Sequence, residues 1–326
     1  MGTLYLDQNN LEVRSEGSSL TLYENDQRRG CVPMNLVDRL VIRGGQIRLD
    51  SGVLMKLAEA GATTVLLSPR ISRRVAIVLG PAHNDAAVRL AQAHRVLDSS
   101  FCVGFGQKLI TAKIRRQRRT LVNAMRERPD ERKAMFDAVA ALNAALGTLQ
   151  TLRAAECTSI RGIEGAAARA YFQGFRALVP PSLGFVGRRR RPPTDPVNAC
   201  LSLAYTLLHG EAVRAAHAAG IDPLLGFYHR PAFGRESLAC DLIEPLRPAA
   251  DAWVWEMLRS RRLREEHFTV TDNACLLGKT GRERFYQSWE SVAVGFRRCL
   301  RAQATRLARH LRDEGEAWLV DEDDEA

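Results

Sequence analysis

Two kinds of hydrophobic spacing divide this chain near residue 80. Before it, Val, Ile, Leu, Thr and Tyr gather in short runs at 3–6, 20–23, 40–43, 64–67 and 75–79. Turn chemistry separates the runs: Glu24-Asn25-Asp26, Arg43-Gly44-Gly45 and Ser68-Pro69. That pattern predicts strands. One short helix interrupts them, with Ser51 as its cap, Val53, Leu54 and Leu57 as its apolar face and Gly61 at its end. From Asn84 onward apolar residues recur at three and four, which predicts helices over 84–98, 101–126, 130–155, 159–177, 196–218, 236–258 and 284–313. Loops fall at Val179-Pro180-Pro181, at 188–193 and at 220–226. The fold class is therefore α+β. A small N-terminal β-rich, sandwich-like domain (1–82) leads through a linker (83–88) into a larger all-α domain (89–313). The acidic end, 314–326, is expected to be a disordered tail.

Size and composition narrow the class. A chain of 326 residues buries enough surface to need no disulfide or metal staple. Its seven cysteines are odd in number and scattered, with no C-x-x-C, so neither a disulfide framework nor a zinc ribbon is expected. No stretch approaches the ~20 apolar residues that span a bilayer, and the first ten residues carry neither a basic nor an apolar leader segment. The expected compartment is the reducing cytoplasm, with no membrane association.

Charge adds a partner. Lys+Arg is 47 against Asp+Glu 37, and the last fourteen residues hold eight of those acids, leaving +18 on residues 1–312. Only five of the basic residues are lysine. Arginine grips phosphate through paired planar contacts, which suits nucleic acid; a GC-rich coding bias gives the same balance. The basic residues cluster as Lys108, Lys113, Arg115, Arg116, Arg118 and Arg119, as Arg188, Arg189, Arg190 and Arg191, and as Arg259, Arg261, Arg262 and Arg264. Such runs read as a phosphate-tracking surface or as ordinary solvated faces.

Two constellations could carry chemistry. In Arg161-Gly162-Ile163-Glu164-Gly165, a carboxylate stands between two glycines where an alanine-rich helix starts. It is either open to a bulky ligand or an acid favoured by the helix dipole. In the second, Gly226-Phe227-Tyr228-His229-Arg230 precedes Ser237-Leu238-Ala239-Cys240-Asp241-Leu242-Ile243-Glu244-Pro245-Leu246-Arg247-Pro248. Asp241 and Glu244, three apart, share one helix face, and His229 can fold back beside them. One imidazole with two or three carboxylates suits Mg²⁺ or Mn²⁺ better than structural zinc. The alternatives are an acidic face paired to Arg235 or Arg247, and a packed histidine. Other motifs fail: Gly278-Lys279-Thr280 lacks the earlier glycine of a phosphate loop, Asn273 standing there, and no G-x-S-x-G occurs.

Together these residues resemble the CRISPR adaptation integrase family, the metal-dependent DNA endonucleases that insert new spacers. The resemblance runs through Gly106-Gln107-Lys108 to Lys113-Ile114-Arg115-Arg116-Gln117, Gly162-Ile163-Glu164-Gly165, the stretch from Asp195 to Leu208, His229 and the string from Ser237 to Pro248. The departures are mild: Cys200 and Cys240 stand where small or apolar residues are common. The resemblance implies metal ligands at Glu164, His229 and Glu244, with Asp241 a nearby catalytic acid. It implies a homodimer joined through the N-terminal domain. Two such dimers would flank a dimer of a small ferredoxin-like adaptation subunit in a heterohexamer that holds double-stranded prespacer DNA.

The expected reaction is metal-assisted phosphoryl transfer, in which a DNA 3′-hydroxyl attacks a phosphodiester at the CRISPR repeat, with Mg²⁺ or Mn²⁺ as cofactor. Lys108, Lys113, Arg115, Arg161, Arg188, Arg189, Arg230, Arg247, Asn198 and Tyr205 are the candidate DNA contacts, and Arg169 a further electrostatic stabiliser. Two other classes compete. A tyrosine-type recombinase would use Tyr171, Tyr205 or Tyr228 as a nucleophile and form a covalent adduct. A non-catalytic scaffold would bind DNA and leave it intact.

Overall fold

A computed structural model describes residues 2–68, 74–80, 85–152, 157–189, 192–271 and 274–319. The chain forms two compact units, one of Met1–Asn84 with Trp289–Val294, the other of Asp85–Ser288 with Gly295–Ala326.

The first unit is built from strands β1 (Gly2–Leu6), β2 (Leu11–Glu16), β3 (Ser19–Glu24), β4 (Gln27–Pro33), β5 (Val37–Ile42), β6 (Ile47–Leu49), β7 (Thr63–Leu67) and β8 (Arg74–Val78), with helix α1 (Ser51–Glu59) between β6 and β7. They form two four-stranded sheets, ordered β1-β5-β7-β8 and β4-β3-β2-β6. In the first, β1, β5 and β7 run parallel and β8 closes antiparallel; in the second, β2-β3-β4 is a meander and β6 adds parallel to β2. The alternation of the runs decides which residues go inside. Leu6, Leu40 and Ile42 of one sheet, Leu11, Val13 and Leu20 of the other, and Val53 and Leu57 of α1 share one core. This is the sandwich-like β domain expected. Asp50 rather than Ser51 is the residue before α1, and no side chain caps it. Gly61 has φ +73°, the left-handed conformation its place after the helix predicted.

The second unit carries α2 (Ala86–Leu97), α3 (Ser99–Glu127), α4 (Arg132–Thr151), α5 (Cys157–Arg176), α6 (Pro196–Ala218), α7 (Ser237–Ile243), α8 (Arg247–Arg259) and α9 (Lys279–Gly315). Aspartates start three of them. Asp85 accepts from Val88 N, Asp98 from Ser100 N and Phe101 N, and Asp195 from Asn198 N. Helix α3 is the central element and packs against α4, α5 and α8.

Three expectations change. The apolar spacing read as one helix over 236–258 is two helices. Pro245 cannot continue the hydrogen-bond ladder, so Glu244–Leu246 forms a 3-10 turn between α7 and α8. The helical unit is not all-α, because β9 (Phe268–Thr271) and β10 (Ala274–Leu277) form an antiparallel hairpin. Described residues of the expected linker and tail are helical. Helix α2 begins at Ala86, and α9 runs to Gly315, where Glu314 accepts two hydrogen bonds from Arg95. The acidic stretch 320–326 and linker residues 83–84 lie outside the described residues.

Candidate active site

The site is assembled where α3, α5, the loop after Gly226 and the α7–α8 junction meet. Helix α5 begins at Cys157, so Glu164 stands two turns inside it. That places it beyond the first turn, where a dipole effect would act. A side chain on Gly162 or Gly165 would meet nothing within 4 Å, so open space borders the carboxylate on both sides. Glu244 starts the 3-10 turn and is buried, as is Asp241 one turn earlier. Neither belongs to a solvated acidic face.

At the centre lies Lys113. Its ammonium is 2.5 Å from Glu164 Oε1 and 2.6 Å from Glu244 Oε2. Tyr228 donates its hydroxyl to Glu164 Oε2 (2.9 Å), and Arg247 Nε donates to Glu244 Oε1 (2.9 Å). Burial alone would lower the ammonium's pKa, but the Glu244 and Glu164 carboxylates outweigh it and hold the value raised. The Glu244 carboxyl meets the opposite conflict. Burial pushes it up, and the cations Arg247 and Lys113 bring it down to about 2. Lys113 was expected on the DNA surface. It is buried instead, because it falls on the same stripe of α3 as Leu109, Ile110, Ile114, Gln117 and Leu121.

Asp241 serves the loop rather than standing free. Its Oδ2 accepts from the N–H groups of Phe227 (2.8 Å) and Tyr228 (3.0 Å), and its Oδ1 from that of His229 (2.9 Å). The same Oδ1 lies 2.7 Å from His229 Nδ1. An anion that already accepts three N–H bonds leaves the proton on Nδ1, so Nε2 is the nitrogen free for coordination. The loop passes so close to α7 that a Cβ on Gly226 would lie 2.5 Å from the Ser237 carbonyl carbon and 2.7 Å from His229 O. Gly106 of α3 plays the matching part for Tyr228, since a Cβ there would sit 2.7 Å from ring atom Cδ2. Sequence reasoning gave neither glycine a role, although Gly226 opens the very string that holds His229.

A buried polar group sits behind Arg247. Tyr205 and Tyr171 both donate to Asp251, at 2.5 and 3.1 Å, and the guanidinium groups of Arg247 and Arg188 lie 4.5 and 5.3 Å from the Tyr205 ring centre. Burial lifts the Asp251 carboxyl to about 6, against the two tyrosine hydrogen bonds. A group raised this way adds stability below its unfolded value of 3.8 and loses it as the pH climbs through about 6. Asp251→Asn removes that slope. Relative to wild type, the variant gains about 2 kcal/mol between pH 4 and pH 7, read by urea unfolding at the two pH values.

The remaining candidates separate. Lys108, Arg115, Arg161, Arg189 and Arg230 are exposed, as is Arg169. Arg161 donates to Tyr228 O (3.1 Å), and Arg161 and Arg230 line an open cavity of about 1230 Å³ with Gln107, Thr158 and Pro231. Asn198 is fully buried and so is no DNA contact. It accepts from Arg188 Nη1 and Arg189 N and donates to Gly187 O and Asp195, fixing the arginine loop to α6. Tyr205 is likewise committed, to Asp251. Arg190 and Arg191 lie outside the described residues.

Oxygen and imidazole donors of this kind fit a hard divalent cation. Among the described residues no three of them converge on one point. The ammonium of Lys113 takes the place between the two glutamates, which shows that the pair is built around positive charge.

Residues 4–291 match the family described as CRISPR associated protein Cas1, and the chain belongs to that family. It is 37% identical, over 96% of its length and 98% of the relative's, to a CRISPR-associated endonuclease Cas1 of Thermodesulfovibrio yellowstonii. Its fold matches a casposase bound to integration product with a TM-score of 0.82, at 20% identity, covering 100% of this chain and 97% of that one. It also matches the Cas1-bearing chain of a Cas6-RT-Cas1–Cas2 complex with a TM-score of 0.75, at 21% identity, over 97% of this chain and 35% of that one. No helix among the described residues is long and apolar enough to cross a membrane.

Proposed function

We propose that this chain is the integrase subunit of CRISPR adaptation, a DNA endonuclease that joins the 3′-hydroxyl of prespacer DNA to a phosphodiester at the CRISPR repeat. The observation that carries the reading is the pair Glu164 and Glu244, drawn around one cation beside a histidine whose ring is fixed by Asp241. Glu164, His229 and Glu244 would hold Mg²⁺ or Mn²⁺, which supplies Lewis-acid activation of the scissile phosphate. Asp241 keeps the His229 proton on Nδ1 and the ring in place. Arg247 orients Glu244 through its Nε, and Tyr228 orients Glu164 through its hydroxyl. Arg161 and Arg230, on the cavity that Gly226, Phe227 and Pro231 also line, offset the phosphate charge. Exchanging one phosphodiester for another conserves the bond energy, so no nucleotide hydrolysis is needed; water in place of the 3′-hydroxyl gives cleavage.

The assembly follows the same reading. The chain pairs as a homodimer through its strand unit, and two dimers flank a dimer of a small ferredoxin-like subunit in a heterohexamer on double-stranded DNA, in the cytoplasm. The structural relative in complex with Cas2 supports the partner. The basic face of α3, with Lys108 and Arg115 exposed, then tracks phosphate. DNA affinity therefore falls steeply with salt, by about a thousandfold for about six phosphate contacts between 50 and 200 mM. Fluorescence anisotropy across that range measures it, and a flat dependence contradicts the surface.

The tyrosine-recombinase alternative fits the site poorly. Tyr171 and Tyr205 both spend their hydroxyls on Asp251, and burial pushes both phenols well up. Tyr228 is held to Glu164 and is raised as well, by burial first. The test is a joining reaction quenched in detergent. Joined DNA that migrates free of protein supports the direct transfer, and a covalent protein–DNA adduct overturns it.

A further inference from the structure

We propose that Lys113 is the resident counter-ion of the Glu164–Glu244 pair, displaced when a divalent cation enters, and that Gln117 receives the displaced ammonium. The inference rests on the metal-site reading above and concerns what holds that site together before metal arrives. Two carboxylates brought together by α5 and the α7–α8 junction repel each other, and with Glu244 buried and Glu164 only partly open the pair needs a cation to be stable. Lys113 Nζ meets one oxygen of each, and its side chain is only 8% exposed. The other two oxygens are taken by Tyr228 and Arg247. A divalent cation drawing on both glutamates must therefore compete with the ammonium for the same oxygens.

The displaced ammonium needs an acceptor, and α3 supplies one. Gln117 is buried, and its Oε1 has no hydrogen-bond partner. It lies four residues after Lys113, so the two are neighbours on one helix face. Side chains on a helix lean toward its N-terminus, which tips Gln117 back over the Lys113 turn. A buried amide oxygen left open beside a lysine is costly unless that lysine uses it in another state.

Mn²⁺ titrations of the metal-free full chain, followed by the loss of the free-ion electron paramagnetic resonance signal, test this without any activity assay. Lys113→Met keeps the stem and removes the charge. It should bind Mn²⁺ at least about tenfold more tightly than wild type, and its melting temperature should fall without metal and rise further than wild type's when Mn²⁺ is added. Gln117→Leu should weaken Mn²⁺ binding several-fold in the wild-type background and leave it unchanged in Lys113→Met, because no ammonium then remains to be received. Unchanged or weaker binding by Lys113→Met, or an equal effect of Gln117→Leu in both backgrounds, overturns the inference. Should Lys113→Met not fold without metal, the inference requires millimolar Mn²⁺ to restore the fold, and a variant that stays unfolded in Mn²⁺ overturns it. Failure of the underlying reading looks different: wild type would then bind no Mn²⁺, with or without Glu164→Gln.

Discussion

Alanine at Glu164 or at His229 lowers the rate of strand joining by at least about a thousandfold, a loss of roughly 4 kcal/mol of transition-state stabilisation. Neither change should harm the fold. Glu164 is partly open, and Lys113 keeps Glu244 as a partner when it is gone. His229 is also part-exposed, and Asp241 retains its three backbone N–H donors without the ring. The loss therefore appears in single-turnover joining rates, with DNA affinity at fixed salt within about threefold of wild type, because phosphate contacts elsewhere carry binding. A variant that joins DNA at the wild-type rate removes its residue from the site. A loss of DNA affinity as large as the loss of rate would assign the residue to binding instead.

The second large effect is on the fold. Asp241→Ala withdraws the acceptor from the N–H groups of Phe227, Tyr228 and His229 at once, and Phe227 and Tyr228 are buried where water cannot replace it. At about 1–3 kcal/mol for each stranded buried donor, the variant loses about 4 kcal/mol. Asp241→Asn keeps one acceptor oxygen and loses about half as much. Urea unfolding of metal-free protein measures both. A cost below about 1 kcal/mol for the alanine variant would mean that the 226–231 loop is held by other contacts. Because this loop carries His229, joining falls in both variants, and the asparagine variant separates positioning of the ring from stability.

Much of the architecture was legible because it depends on local pattern. Short apolar runs gave β1, β3, β5, β7 and β8 but not β2, β4 and β6, whose residues are more polar, and spacing at three and four gave α3, α5 and α6 within a few residues. Where the pattern is blind, the reading failed. Apolar spacing continues across Pro245, so the break between α7 and α8 was hidden even though proline marks it. The β9–β10 hairpin has four residues per strand, too few to show a period of two. The site divides along the same line. Glu164, His229, Asp241 and Glu244 stand out as candidates because their chemistry is unusual among apolar neighbours. Lys113 and Asn198 were misplaced because a lysine in a run of arginines, or an amide before a basic loop, looks like surface. The signal that could have placed Lys113 was its register with Leu109, Ile110, Ile114 and Leu121. Asp251 carried no such signal. Its importance depends on Tyr171 and Tyr205 meeting it from two other helices.

The central claim is tested most directly by one reaction. Purified chain, the small partner subunit and a short duplex with 3′-hydroxyl ends are incubated with a supercoiled plasmid bearing a CRISPR repeat, in Mn²⁺ or in EDTA, and joined product is mapped by sequencing. The account predicts donor strands linked through their 3′ ends at the repeat boundary in Mn²⁺, and none in EDTA. Joining that persists in EDTA, or DNA that is bound and left intact in Mn²⁺, would contradict it.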